Sequence, residues 1–274
     1  MIAFSTGSLY TYGLARVAYL AADAGFDALE VMVDDRWDTQ DAGYLTELAR
    51  AARIPIASLH APFRPGPDAR ARDEVERLTR TVDLARAVGA RTVVVHPPVR
   101  YRWVTLRYPP YLNVSVLTPF RQVTRYHRWL RAELDAYRAA AGVTVAVENM
   151  PRHRLGFRTV NLFDLNEIRD LRHFPALTLD TTHIGTWGID LLDAYRVLAD
   201  RVTHVHLSNY NGRQHRLPDD GSLALGPFLR ALRRHGFAGT IVVELDPDSA
   251  GAGDVGRVRE RLGRAIGFCR QHFG

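Results

Sequence analysis

Eight short β-rich runs, each followed by a longer stretch of helical periodicity, recur along the 274 residues, and no other feature restricts the fold as strongly. The runs are Ile2–Thr6, Ala28–Val33, Ile54–Leu59, Thr92–His96, Val143–Glu148, Ala176–Asp180, Val202–Leu207 and Thr240–Glu244. Apolar residues at helical spacing fill the intervals, among them Leu14–Ala24, Asp73–Val88, Phe120–Ala141 and Leu223–His235. Gly25, Gly89, Gly142 and Gly236 stand between a helical pattern and the next run. That is where a left-handed residue ends a helix before a buried strand.

Strands that alternate with helices pair in parallel, because the chain must cross over before the next strand can lie beside the last. Eight such units predict an α/β fold: a (β/α)8 TIM barrel, with a closed parallel eight-stranded barrel and outer helices. No GxGxxG follows the first run, which argues against a dinucleotide site. No composition break divides the chain, so residues 1–274 read as one domain. The one long irregular insert, Pro97–Pro119, follows the fourth run, and its length suits a lid.

Composition narrows the chemistry. All 36 basic side chains are arginine, and the net charge is +6. The missing lysine removes Schiff-base catalysis and the P-loop lysine. Nucleic-acid binding is permitted by the charge without being required by it. Cys269 is the single cysteine, so neither an intrachain disulfide nor a thiolate metal cluster can form. The opening MIAFSTGSLY lacks the basic start and long apolar run of a signal peptide, and no stretch approaches the roughly 20 apolar residues of a membrane span. A cytoplasmic location without membrane association is expected. Oligomeric state is not legible.

Runs two to eight each end at or beside a group that can bind metal or move protons: Glu30, His60, His96, Glu148, Asp180, His206 and Glu244. In a barrel of this kind, that end of the strands is where active sites are built. Alternation supports the inward direction. Thr144, Ala146 and Glu148 share one face, Thr240, Val242 and Glu244 another, and His204 and His206 a third. Converging carboxylates repel one another and lose hydration unless a cation compensates them. Two Glu, one Asp and a His make a mixed oxygen/nitrogen set suited to Mn²⁺ or Zn²⁺, with Mg²⁺ or Co²⁺ as further candidates. His127, His153, His173, His235 and His272 are expected to be structural or exposed, and Trp37, Trp129 and Trp187 to be packing residues.

Several segments, in order along nearly the whole chain, are similar to the xylose isomerase-like TIM-barrel superfamily. They are His60–Phe63, Val94–Pro97, Val147–Pro151, Leu179–Gly185, His204–Ser208 and Val242–Leu245. That group contains sugar isomerases and epimerases together with apurinic-site endonucleases. By the resemblance, Glu148, Asp180, His206 and Glu244 match the four ligands of the shared metal site. His60 and His96 match the histidines that hold a second metal in the endonucleases. His183 and His215 match two ligands of a third site, where the remaining Asp is replaced by Arg213. The segment from Asn209 to Leu232 is laid out more like the isomerase/epimerase branch.

Three functions follow as expectations. The first is a metal-dependent isomerase or epimerase acting on a sugar, sugar phosphate or related hydroxy-carbonyl compound through a metal-stabilised enediolate. Glu148 and Glu244 then remove and return the proton, and His183, Arg213, His215, Glu30 and Trp103 contact the small carbohydrate substrate. The second is phosphodiester hydrolysis at abasic DNA sites, for which the arginine and aromatic residues of the insert would track a nucleic acid. The third is a barrel that binds metal and a small molecule without turnover.

Overall fold

The strand bodies are built on alternation between a helix-facing set and an axis-facing set, and this decides which side chains reach the barrel mouth. The computed structural model describes residues 1–62, 74–108, 112–121 and 123–274, with side chains at 102–108, 112–119, 121 and 155 outside the description. Its eight barrel strands are Ile2–Ser5, Ala28–Met32, Ile56–His60, Thr92–Val95, Thr144–Glu148, Leu177–Asp180, Val202–Leu207 and Thr240–Val243. They pair in parallel in chain order, and the eighth pairs with the first, so the barrel closes. Closure leaves no barrel strand with an unpaired edge.

Phe4, Val145, Val147, Leu177, Leu179, Val205, Leu207, Ile241 and Val243 join the core shared with the helices. Burial of each such side chain stabilises the fold by about 1.5–3 kcal/mol. The intervening residues fill the axis. Ala3, Ala28 and Val242 form a small inner cluster with Ala57 against it, and polar groups lie toward the mouth. The last helix, Val255–Phe273, packs on the helices Leu14–Ala24 and Leu225–Arg234 and encloses Cys269 completely. Among the described residues, no helix is long and apolar enough to cross a membrane.

The four expected glycine caps all have positive φ, between 69° and 92°. The helix Ala42–Ala52 ends the same way on Arg53, whose φ of 53° gave no sequence signal because a side chain is present. The expected helix at Asp73–Val88 is found from Glu74 to Val88, with Asp73 outside the described residues. The pattern at Phe120–Ala141 divides. Phe120 and Arg121 end a strand, and Thr124 caps a helix over Arg125–Ala132 by accepting the His127 N–H at 3.2 Å. A second helix then runs over Leu134–Ala141.

The insert expected to be irregular is instead an antiparallel ribbon of Tyr101–Tyr108 and Leu112–Arg121. A second hairpin, Arg152–Leu155 with Arg158–Asn161, follows the fifth barrel strand. It turns at Gly156, whose positive φ of 58° suits the first central position of a two-residue turn. The two inserts are tied at their bases. Arg100 N–H donates to the Leu162 carbonyl at 2.7 Å, and Asp164 N–H to the Pro98 carbonyl at 2.8 Å.

Phe4 is fully buried between the barrel and Phe26, with ring centroids 5.2 Å apart. Phe4→Ala is expected to lower the unfolding free energy by about 3–5 kcal/mol through lost transfer energy and a residual cavity, read from the urea midpoint.

Candidate metal centre

The strand ends deliver their side chains to one place. Glu148 closes the fifth strand, Asp180 the sixth, and His206 lies within the seventh, while Glu244 follows the eighth. Each of these four offers a ligand atom within 4.8 Å of every other. The His206 ring is at their centre. Its Nδ1 is 2.9 Å from Glu244 Oε2, 3.1 Å from Glu148 Oε1 and 3.9 Å from Asp180 Oδ2.

These distances order the electrostatics. Burial opposes charge on every member. For His206, burial is outweighed by Glu30, Glu244 and Glu148, which hold the imidazolium well above its usual range. Burial also works against ionising Glu148, but His206 more than compensates and keeps its carboxyl well below the ordinary value. Glu244 is likewise brought down to about 2, with His206 overcoming burial. Asp180 is farthest from the imidazole. Burial, with repulsion from Glu148 and Glu244, raises it to about 7 against the pull of His215 and His206. Three carboxylates crowd the His206 ring. Asp180 Oδ2 is buried without a hydrogen-bond partner. Such a donor set fits a divalent cation, which supplies the missing positive charge and occupies that oxygen.

His60 and His96 extend the cluster. His60 Nε2 is 3.3 Å from Glu148 Oε2, and His96 Nε2 is 3.1 Å from the same oxygen and 3.2 Å from His60 Nε2. His60 Nδ1–H donates to the Ala61 carbonyl at 3.0 Å, and although burial disfavours charge on the ring, the adjacent Glu148 raises it above its ordinary range. On the other side, His183 Nδ1–H donates to the Asn149 carbonyl at 2.7 Å. Asp180, His183 and His215 form a further group whose ligand atoms lie within 4.8 Å. His215 is held at a positive φ of 54°, uncommon for a residue with a Cβ.

Other expected contacts fall elsewhere. Arg213 sits on the rim, with its side chain 64% exposed and its guanidinium 3.4 Å from Asp248. Glu30 is fully buried below His206, facing Ser58, His204 and His206, rather than standing at the mouth. The Trp103 side chain and Phe63 lie outside the described residues. Trp129 and Trp187 are buried as expected, but Trp37 is 68% exposed. Sequence reasoning missed Asn149, next to Glu148. Its side chain accepts the Asp180 N–H at 2.8 Å and donates to the Asp180 carbonyl at 3.1 Å, tying the fifth and sixth strand ends together. An amide directly after an inward glutamate was the available signal.

The family model described as xylose isomerase-like TIM barrel matches residues 18–271. The chain belongs to this family. Among its relatives is an uncharacterized protein of Mycobacterium tuberculosis, 28% identical over 300 residues, covering 99% of this chain and 97% of the relative. The D-psicose 3-epimerase of Clostridium cellulolyticum H10, solved with D-tagatose, superposes with a TM-score of 0.68 at 15% identity and 99% coverage of both chains. An AP endonuclease, family 2, from Brucella melitensis gives 0.64 at 18% identity, covering 95% of this chain and 96% of its own. Both likenesses establish the fold shared within the family. They do not choose between the two activities.

Asn149→Ala leaves the buried Asp180 N–H and carbonyl without their amide partner. A loss of about 2–4 kcal/mol of unfolding free energy is expected, each orphaned group costing about 1–3 kcal/mol; chemical denaturation measures it.

Proposed function

We propose that the protein is a divalent-metal-dependent isomerase or epimerase of a sugar, sugar phosphate or related hydroxy-carbonyl compound. The observation that carries this reading is the pairing of Glu148 and Glu244. They come from the fifth and eighth strands, yet both reach the same His206 nitrogen, at 3.1 and 2.9 Å. Both are held ionised, with His206 overcoming the effect of burial, as proton acceptors must be. Their separate origins on the barrel supply two directions of approach to one carbon.

Glu148, Asp180, His206 and Glu244 would hold the ion. When bound, a divalent cation supplies electrophilic stabilisation of negative charge on the oxygens beside the carbon that loses its proton. One glutamate takes the proton from that carbon, and the other, after taking up a proton from solvent, delivers it to the opposite face for epimerisation. Glu244 keeps 14% of its side chain accessible against 2% for Glu148, so Glu244 is the one that approaching substrate meets first. His183 and His215 border the same group and orient substrate oxygens. The ribbon strands Tyr101–Tyr108 and Leu112–Arg121 follow the fourth barrel strand just past His96, where a lid over the substrate is expected.

A second reading, phosphodiester hydrolysis, draws on His60 and His96 against Glu148 Oε2 as a place for another ion. The first reading is preferred because the third group, Asp180 with His183 and His215, borrows its carboxylate from the central cluster. Among the described residues no further carboxylate completes it. Mn²⁺ or Zn²⁺ suits the central donors on either reading.

The test is deuterium incorporation from D2O into a panel of ketoses, sugar phosphates and hydroxy-carbonyl acids by the Mn²⁺-loaded protein. Exchange at a carbon beside a carbonyl is expected. Glu148→Gln and Glu244→Gln are each expected to reduce it about 10²–10⁴-fold with far-UV circular dichroism unchanged. No exchange across the panel, with cleavage of an abasic duplex oligonucleotide, would reverse the order of the two readings.

A further inference from the structure

The helices Glu74–Val88 and Leu134–Ala141 each carry an arginine in the last turn, Arg86 and Arg138. Each then hands the chain to a left-handed glycine, Gly89 or Gly142. A third arginine, Arg91, stands one residue before the fourth barrel strand. Its backbone is fixed between neighbouring strands. Its N–H donates to the Ala57 carbonyl at 2.9 Å, and its carbonyl accepts the Thr144 N–H at 2.9 Å. Parallel pairing of the fourth and fifth barrel strands thus brings both helix ends to one place. There Arg86, Arg91 and Arg138 line a cavity of about 630 Å³, with Gly89, Gly142 and Thr144 among its other walls. It lies at the foot of the barrel, where the strands begin. Thr144 and Glu148 are the two ends of one strand, about 13 Å apart at the usual rise per residue, so the cavity is separate from the candidate metal centre.

Three cations and no carboxylate line this cavity. The dipole of a helix favours positive charge in its last turn, and helix ends account for Arg86 in full. Its Nε–H donates to the Ala141 carbonyl at 2.6 Å and its Nη2 to the Ala140 carbonyl at 3.0 Å, closing the end of the neighbouring helix. Asp83, 3.4 Å from Arg86 Nη1, supplies a counter-charge. Arg91 and Arg138 have no such account. Among the described residues neither guanidinium has a hydrogen-bonding or acidic partner, and Arg138 Nε is buried from water as well. A buried N–H without an acceptor is rare in a folded protein, and a dipole does not supply one. A guanidinium presents its donors as a planar fork that matches the oxygens of a phosphate group. The volume is of the size that takes a small organic ligand. We propose that this cavity binds a small molecule bearing a phosphate group, with Arg91 and Arg138 donating to the phosphate oxygens. Arg86 adds positive charge from its place on the helix end. The site does not depend on the reaction proposed for the mouth.

The experiment titrates the full chain calorimetrically with inorganic phosphate as the probe and succinate as the carboxylate control, at low chloride. His206→Asn is titrated alongside to remove the metal centre as a competing site. Phosphate is expected to bind more tightly than succinate and with the same affinity in wild type and His206→Asn. Arg138→Gln and Arg91→Gln are each expected to weaken phosphate binding by about tenfold, the loss of one charge-assisted contact. Arg91 is exposed at the end of its strand, so its variant keeps the test available should Arg138→Gln fold poorly. Unchanged affinity in either folded arginine variant overturns the proposal. So does loss of binding in His206→Asn, tighter binding of succinate, or a wild-type protein that binds no phosphate.

Discussion

Like charge crowded into a dry space is the constraint on which the rest of this molecule turns. Glu148, Asp180 and Glu244 are gathered around one face of His206, with Glu30 on the other. Water reaches little of this group: Glu30, Asp180 and His206 have no accessible surface and Glu148 has almost none, while Glu244 keeps 14% of its side chain accessible. The strongest internal compensation is the His206 imidazolium, which favours its two nearest mouth carboxylates and leaves the third at a disadvantage. The raised Asp180 and the lowered Glu244 express one shortage of positive charge, distributed by distance.

The barrel makes this crowding affordable by supplying rigidity elsewhere. Its strands close without an edge, and their outer faces are covered by apolar side chains that belong to the same core as the helices. Hydrogen bonds then lock each charged group separately. Asn149 ties Asp180 to the fifth strand, and the Asp180 carboxylate caps the following helix by accepting the His183 N–H at 2.8 Å. Thr182 accepts the His215 N–H at 3.2 Å and donates to the Asn209 carbonyl at 3.0 Å, which holds the rim loop against the helix.

Much of this was legible in the sequence for a physical reason. A residue at the end of a short buried strand has only two directions to point, so the inward parity of Glu148 or His206 follows from Ala146 and His204 two residues earlier. The order of strands followed in the same way, because parallel neighbours require a crossover. What failed had no such periodic constraint. The ribbon from Tyr101 to Arg121 is bounded and broken by prolines at positions 97, 98, 109, 110 and 119, which read as loop although the runs between them pair as strands. The left-handed Arg53 has no glycine to announce it. Arg213 and Glu30 are instructive in opposite ways: a rim arginine found a surface partner in Asp248, while a strand-body glutamate placed at the right parity was one layer too deep for the mouth.

The family and its fold account for the convergence of these residues, and the chemistry of the donors accounts for why a divalent cation belongs among them. The most direct measurement is anomalous scattering from crystals grown with Mn²⁺ or Zn²⁺. The account predicts a peak at about 2.0–2.2 Å from His206 Nδ1 and from oxygens of Glu148, Asp180 and Glu244, a bonding distance for such ions. Saturating metal with no peak among those four side chains, or a peak held only by residues outside them, would contradict it.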